Sequence, residues 1–122
     1  MKYIYKVLSH AEWKKAYSDG FVNTNLDIED GFIHFSTSRQ LALTIRSYFD
    51  KYQALVLLQI ETDILKNNLI FEESSSEERS GKFPHLYGKL ATKDICKIWN
   101  LKRSAFELPI EILKESEDIE LP

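Results

Sequence analysis

Apolar and polar residues change places in short blocks along this chain, and the blocks read as elements. Between Lys2 and Leu8, the residues Tyr3, Ile4, Tyr5 and Val7 suit a half-buried pleated surface and predict a first strand. Ser9 ends it. Ser9-x-x-Glu12 has the spacing at which a hydroxyl caps the backbone N–H three residues on while the glutamate reaches back. Trp13, Ala16 and Tyr17 then recur at helical intervals and Gly20 suits a left-handed terminus, so a helix is predicted from about His10 to Asp19. Residues 21–30 hold Asn23, Thr24, Asn25, Asp27 and Asp30 with scattered apolar positions, and they read as a surface loop. Residues 31–35 read as a short strand. Thr37-x-x-Gln40 repeats the capping pattern, and Leu41, Ile45, Tyr48 and Phe49 form the apolar face of a helix ending near Asp50.

Residues 54–60 (Ala-Leu-Val-Leu-Leu-Gln-Ile) are nearly all apolar and too few for an ordinary helix, which predicts a central strand covered on both faces. Residues 63–68 read as a helical turn. Leu69, Ile70 and Phe71 predict a strand closed by Glu72 and Glu73, and residues 74–82, with no apolar side chain, an exposed loop. Beyond the cluster Phe83-Pro84-His85-Leu86-Tyr87-Gly88, residues 94–102 and the alternating Phe106, Leu108, Ile110 and Ile112 read as two more strands, Pro109 placing the second at an edge. The expectation is one α+β domain over residues 1–113 and an acidic C-terminal tail over 114–122.

Composition narrows the classes. With 43% hydrophobic and 29% charged residues, the 122-residue chain matches a globular protein with one core. From Glu107 onward there are six acids and one base, so the net charge of −3 leaves the preceding residues at +2, without the broad basic face of a duplex-DNA binder. No apolar run approaches the roughly twenty residues that span a bilayer, and no export signal is evident; a cytoplasmic protein without membrane contact is expected. Cys96 is the only cysteine and has no partner for a disulfide within the chain. The three histidines lack metal-ligand spacing, so no metal is expected.

The chemistry concentrates in two motifs. In Asp30-Gly31-Phe32-Ile33-His34-Phe35-Ser36-Thr37, His34 lies at a strand end beside two hydroxyls, just before a helix whose free N–H groups favour an anion. The same residues admit a plainer reading, with His34 hydrogen-bonded in the core and Thr37 as a helix cap. In the second motif His85 and Tyr87 alternate, offering a ring nitrogen and an aromatic platform on one side, and Gly88 allows a ligand close to the backbone; their plain reading is an edge strand packed inward. Glu72 and Glu73, with Glu77 and Glu78 in the loop, are the carboxylates nearest a strand end, suited to acid–base work or to steadying positive charge. The two segments are expected to face one pocket. Its catalytic candidates are His34, His85, Glu72 and Glu73; its binding candidates are His34, Ser36, Thr37, Tyr87 and Gly88.

These residues also carry a resemblance. Ile4-Tyr5-Lys6-Val7-Leu8, Glu12-Trp13, Gly20-Phe21, the Asp30 to Thr37 motif with Gln40, and the Phe83 to Gly88 motif with Leu90 together resemble the small bacterial proteins grouped as domain of unknown function 952. The resemblance implies an ADP-ribosyltransferase-like fold: a split, strongly bent β-core around a nicotinamide-dinucleotide cleft, with two short helices near the N-terminal half. It implies a small-molecule or nucleotide ligand, NAD being the cofactor to expect. A fainter similarity, in the order of Trp13, Gly20-Phe21 and Ile33-His34-Phe35, is to the NAD-using RNA 2′-phosphotransferases. Tyr5-Lys6-Val7 stands where that branch has His-Gly-Ser or His-Gly-Thr. The alternative is a non-catalytic module binding a small metabolite, a peptide or an RNA end.

Overall fold

A computed structural model of the chain describes residues 1–73, 81–102 and 112. Its elements, in order, are β1 (Tyr3–Ser9), α1 (His10–Asp19), β2 (Phe21–Val22), α2 (Asn25–Asp30), β3 (Ile33–His34), α3 (Leu41–Tyr48), β4 (Ala54–Glu61), α4 (Thr62–Leu65), β5 (Leu69–Glu73), β6 (Lys82–Leu86), β7 (Leu90–Ala91) and β8 (Ile95–Lys102). The class is α+β, with short helices and antiparallel sheets throughout.

The expected central strand is β4. It lies between β1 and β8, and its alternation divides the core between the two faces of that sheet. Val56, Leu58 and Ile60 join Ile4 and Leu8 on one face, against Ala16 of α1 and against Ile33 and Leu86 of a second sheet. Leu55 and Leu57 join Tyr5 and Val7 on the other, against Leu41 and Ile45 of α3. The second sheet has the order β3-β6-β5. It touches the first where the backbones of Tyr5 and Ser36 exchange both hydrogen bonds, each at 2.8 Å.

Both capping patterns hold. Ser9 Oγ accepts from Glu12 N and Glu12 reaches back to Ser9 N, and Thr37 N donates to Gln40 Oε1 at 3.0 Å. A 3-10 turn, Ser38–Gln40, precedes α3.

The expected loop over residues 21–30 is corrected: it contains β2 and the helix α2. Thr24-x-x-Asp27 is a third capping box, with Asp27 standing where glutamate is usual, and Gly31 ends the helix at φ 82°. There are accordingly more helices than the two expected. Ile112, expected on a strand, is helical and fully buried beside Leu101. The remaining expectations for residues 103–122, and those for 74–80, lie outside the described residues.

Candidate functional site

Paired residues in antiparallel strands share a face, and the register of β3-β6-β5 sets His34 opposite His85, His85 opposite Ile70, and Phe83 opposite Glu72. Phe32 and Tyr87 extend the same face by one period each. This face forms the floor of a cleft of about 480 Å³, whose walls add Leu26 and Asp30 from α2, Phe35, Tyr48 and Glu73.

Phe32 is the hub of the floor. Its ring stacks on His85 with centroids 4.1 Å apart and is tilted against His34 at 4.6 Å and Tyr87 at 5.4 Å. The two imidazoles lie edge to face at 5.7 Å. Each is fixed by carboxylates.

For His34 these come from α2, whose Asp27 and Asp30 are three residues apart and therefore on one side of the helix. Asp27 Oδ1 lies 2.7 Å from His34 Nδ1, and Asp30 Oδ2 lies 2.8 Å from Nε2. A ring with one hydrogen donates to only one of these acids; a ring with two donates to both.

Asp27 is 2% exposed and also accepts from the backbone N–H of His34 and of Thr24, each at 3.0 Å. The ammonium of Lys6, buried on β1, completes the set: its Nζ lies 3.1 Å from Asp27 Oδ2 and donates to His34 O at 2.8 Å. Burial would raise the Asp27 pKa. The His34 ring, the Lys6 charge and the two N–H groups outweigh it and hold the acid below the usual carboxylate range. Burial pushes the Lys6 pKa down, against the pull of Asp27.

His85 has its carboxylate on β5. Glu72 Oε1 accepts from Tyr87 Oη at 2.7 Å and lies 2.9 Å from His85 Nδ1. The tyrosine bond first, then the histidine, hold the Glu72 pKa below its ordinary value, and the same bond raises the Tyr87 pKa. Glu72 is thus an anion at neutral pH, suited to accepting a hydrogen bond or facing positive charge and unsuited to donating a proton.

Of the residues expected in one pocket, His34, His85, Glu72, Glu73 and Tyr87 line the cleft. Ser36, Thr37 and Gly88 do not, which corrects the expectation that all the motif residues face one space. β3 is only two residues long, and the chain crosses to β1 at Ser36, so the alternation begun at Phe32 stops there. Ser36 is buried, its Oγ 2.6 Å from Thr44 Oγ1, and it lines a small chamber of about 80 Å³ behind His34 and Phe35. Thr37 is buried with its N–H committed to Gln40. Gly88 borders a separate groove, where a Cβ in its place would meet the Asn68 side chain at ordinary van der Waals distance. Asp27, Asp30, Lys6 and Phe32 were not among the sequence candidates. The available signal for the two acids was the unusual cap Thr24-x-x-Asp27 followed by Gly31; nothing in the sequence marks Lys6. Among the described residues no cluster of three or more His, Cys, Asp or Glu could hold a metal ion, and no helix is long and apolar enough to cross a membrane.

Comparison with known proteins agrees on the fold and is silent on activity. The family model described as "Protein of unknown function (DUF952)" matches residues 7–98. The crystal structure of protein CC0527 from Caulobacter crescentus is 32% identical, covers 91% of this chain and 98% of that one, and has a TM-score of 0.78. The solution NMR structure of CC0527 is 36% identical over 84% of this chain and 86% of that one, with a TM-score of 0.72. No curated protein matches the chain.

Proposed function

The chain belongs to the DUF952 family, and from the cleft its residues build we propose that it binds NAD or a related nucleotide and acts on it in the manner of an ADP-ribosyl or RNA 2′-phosphate transferase. The observation that carries this reading is the position of Glu72, an ionised carboxylate on the same sheet face as the rings of Phe32, His85 and Tyr87. Aromatic faces suit a flat base, and carboxylates suit ribose hydroxyls. Breaking the bond between a base and its ribose develops positive charge on the sugar, and a fixed carboxylate beside it stabilises that charge without taking a proton. In this reading His34 and His85 hold or move protons at their ring nitrogens, and Asp30 and Glu73 accept from the sugar. The two antiparallel sheets meeting at Tyr5 and Ser36, with the cleft on one of them, support the resemblance to an ADP-ribosyltransferase-like split β-core.

Calorimetric titration of the full chain with NAD and ADP-ribose tests the binding step. Saturable binding weakened by Glu72→Gln and His85→Ala is expected; no heat at millimolar ligand sinks the proposal. A second reading, a non-catalytic module for a small metabolite, a peptide or an RNA end, is favoured by how completely His34 and Glu72 are bonded to their neighbours. Binding without release of nicotinamide, in the presence of nucleophile or 2′-phosphorylated RNA, selects that reading.

A further inference from the structure

We propose that the cleft selects a nucleoside whose base carries a positive charge, such as an N-ribosylpyridinium or an N-methylated purine nucleoside, and needs no phosphate on it. This rests on the nucleotide reading above for the place of the ligand and adds the charge of its base. The argument starts from the lining: Asp30, Glu72 and Glu73 contribute carboxylates, and no Lys or Arg stands among the described lining residues. Lys6 is buried against Asp27 and the His34 carbonyl, and Lys82, opposite Glu73 in the strand register, lies outside the lining. Even with His34 and His85 both protonated, the three carboxylates among the described lining residues outnumber them. The described lining therefore offers a diphosphate no side-chain ammonium or guanidinium to bind it, whereas a cationic base meets attraction concentrated by the concave wall.

The aromatic component points the same way. A positively charged ring gains from the face of a neighbouring aromatic ring as a neutral one does not. Phe32 lies in the floor, and Tyr48 and Tyr87 on the lining are each 43% exposed. Glu72 keeps its charge beside them because Tyr87 and His85 bond the same oxygen, Oε1. A flat cation against these rings with its ribose toward the carboxylates satisfies both parts of the wall; an anionic nucleotide satisfies only the first.

Matched pairs that differ in the charge of the base provide the test: NAD against NADH, nicotinamide riboside against its reduced form, and 1-methyladenosine against adenosine. All are titrated calorimetrically into the full chain at neutral pH and at two salt concentrations. The cationic member of each pair is expected to bind at least about tenfold tighter, with the gap shrinking at high salt. The Glu73 side chain makes no hydrogen bond or ion pair with another described residue, so Glu73→Gln removes charge while leaving the strand pairing in place, and it is expected to narrow the gap. Glu72→Gln, checked for folding by circular dichroism, is expected to narrow it further. Equal affinity within every pair, or preference for the neutral member, overturns the inference and leaves nucleotide binding standing. No binding by any of the six probes at millimolar concentration overturns both.

Discussion

Replacing Asp27 by Asn changes one atom of a side chain that is 2% exposed, yet the structure makes it a costly change. The Asp27 carboxylate accepts from Thr24 N and His34 N, faces His34 Nδ1 and is the charge partner of Lys6, itself only 4% exposed. An amide offers one acceptor oxygen and turns an NH2 group toward donors. Removing one member of a buried ion pair costs about 3–5 kcal/mol, because the other charge stays buried unpaired. At roughly 4 °C per kcal/mol for a chain of this size, Asp27→Asn is expected to lower Tm by about 12–20 °C. Urea unfolding followed by circular dichroism measures the loss, with the slope unchanged if only the native state is affected. Lys6→Met supplies the control: in the double variant the stranded charge is gone, and the loss should fall short of the sum of the single losses by at least about 1 kcal/mol. The sign with pH follows from the depressed Asp27 pKa. Its contribution is present above the ordinary aspartate value of about 3.9 and is lost as pH falls through the lower folded value, so wild type and Asp27→Asn converge in strong acid. A loss below about 1 kcal/mol at neutral pH, or strict additivity with Lys6→Met, refutes the electrostatic knot.

Gly31→Ala places a methyl in open space at φ 82°, so its cost is conformational alone: about 1–2 kcal/mol by urea unfolding, while a loss under about 0.3 kcal/mol contradicts the left-handed terminus of α2. Tyr87→Phe removes the donor chiefly responsible for the depressed Glu72 pKa, and carbon-13 NMR should find Glu72 titrating at a higher pH; its small acid-side contribution to stability is then lost earlier as pH falls. Conversely, in Glu72→Gln the raised Tyr87 pKa returns toward about 10, read from phenolate absorbance. Ser36→Ala breaks the buried bond to Thr44 and is expected to cost about 1–2 kcal/mol while leaving affinity for cleft ligands unchanged; a lost affinity places Ser36 back in the site.

What the sequence revealed and what it concealed divide along the range of the interactions. Ser9-x-x-Glu12 and Thr37-x-x-Gln40 were legible because a cap is made within one turn, and β4 because its run of apolar residues is long enough to exclude the alternatives. Thr24-x-x-Asp27 obeys the same local rule, but Asn and Asp are also the residues of turns, and composition outweighed spacing in that segment. Lys6 was illegible for a different reason. Its partner Asp27 is 21 residues away, and a lysine in a strand is ordinarily a solvated one. Ser36 and Thr37 show the limit of alternation: it places side chains only while the strand lasts, and β3 ends at His34. His85, Glu72 and Tyr87 come together through the pairing of β5 with β6, which the spacing of their motifs does not specify.

The geometry couples stability to the site unequally on its two sides. Six residues are too few for α2 to hold as a helix alone, since nucleation is unfavourable and each added residue gains little. Its capping box, Gly31 and the bonds from Asp27 and Asp30 to His34 hold it against β3. The bonds that position His34 are therefore among those that keep α2 folded, and a substitution at Asp27 must lower stability and ligand affinity together. On the other wall Glu72 and Glu73 stand on β5, a strand held to β6 by backbone pairing over five residue pairs, to which Glu72 adds a side-chain bond to His85. Neutralising Glu73 should leave the melting temperature nearly unchanged and alter affinity alone, and Glu72→Gln, which loses only bonds of an exposed carboxylate, should lower it far less than Asp27→Asn. That contrast separates a ligand contact from a structural one: a carboxylate of β5 that costs the fold almost nothing to remove, but whose loss changes which base is bound, is there for the ligand.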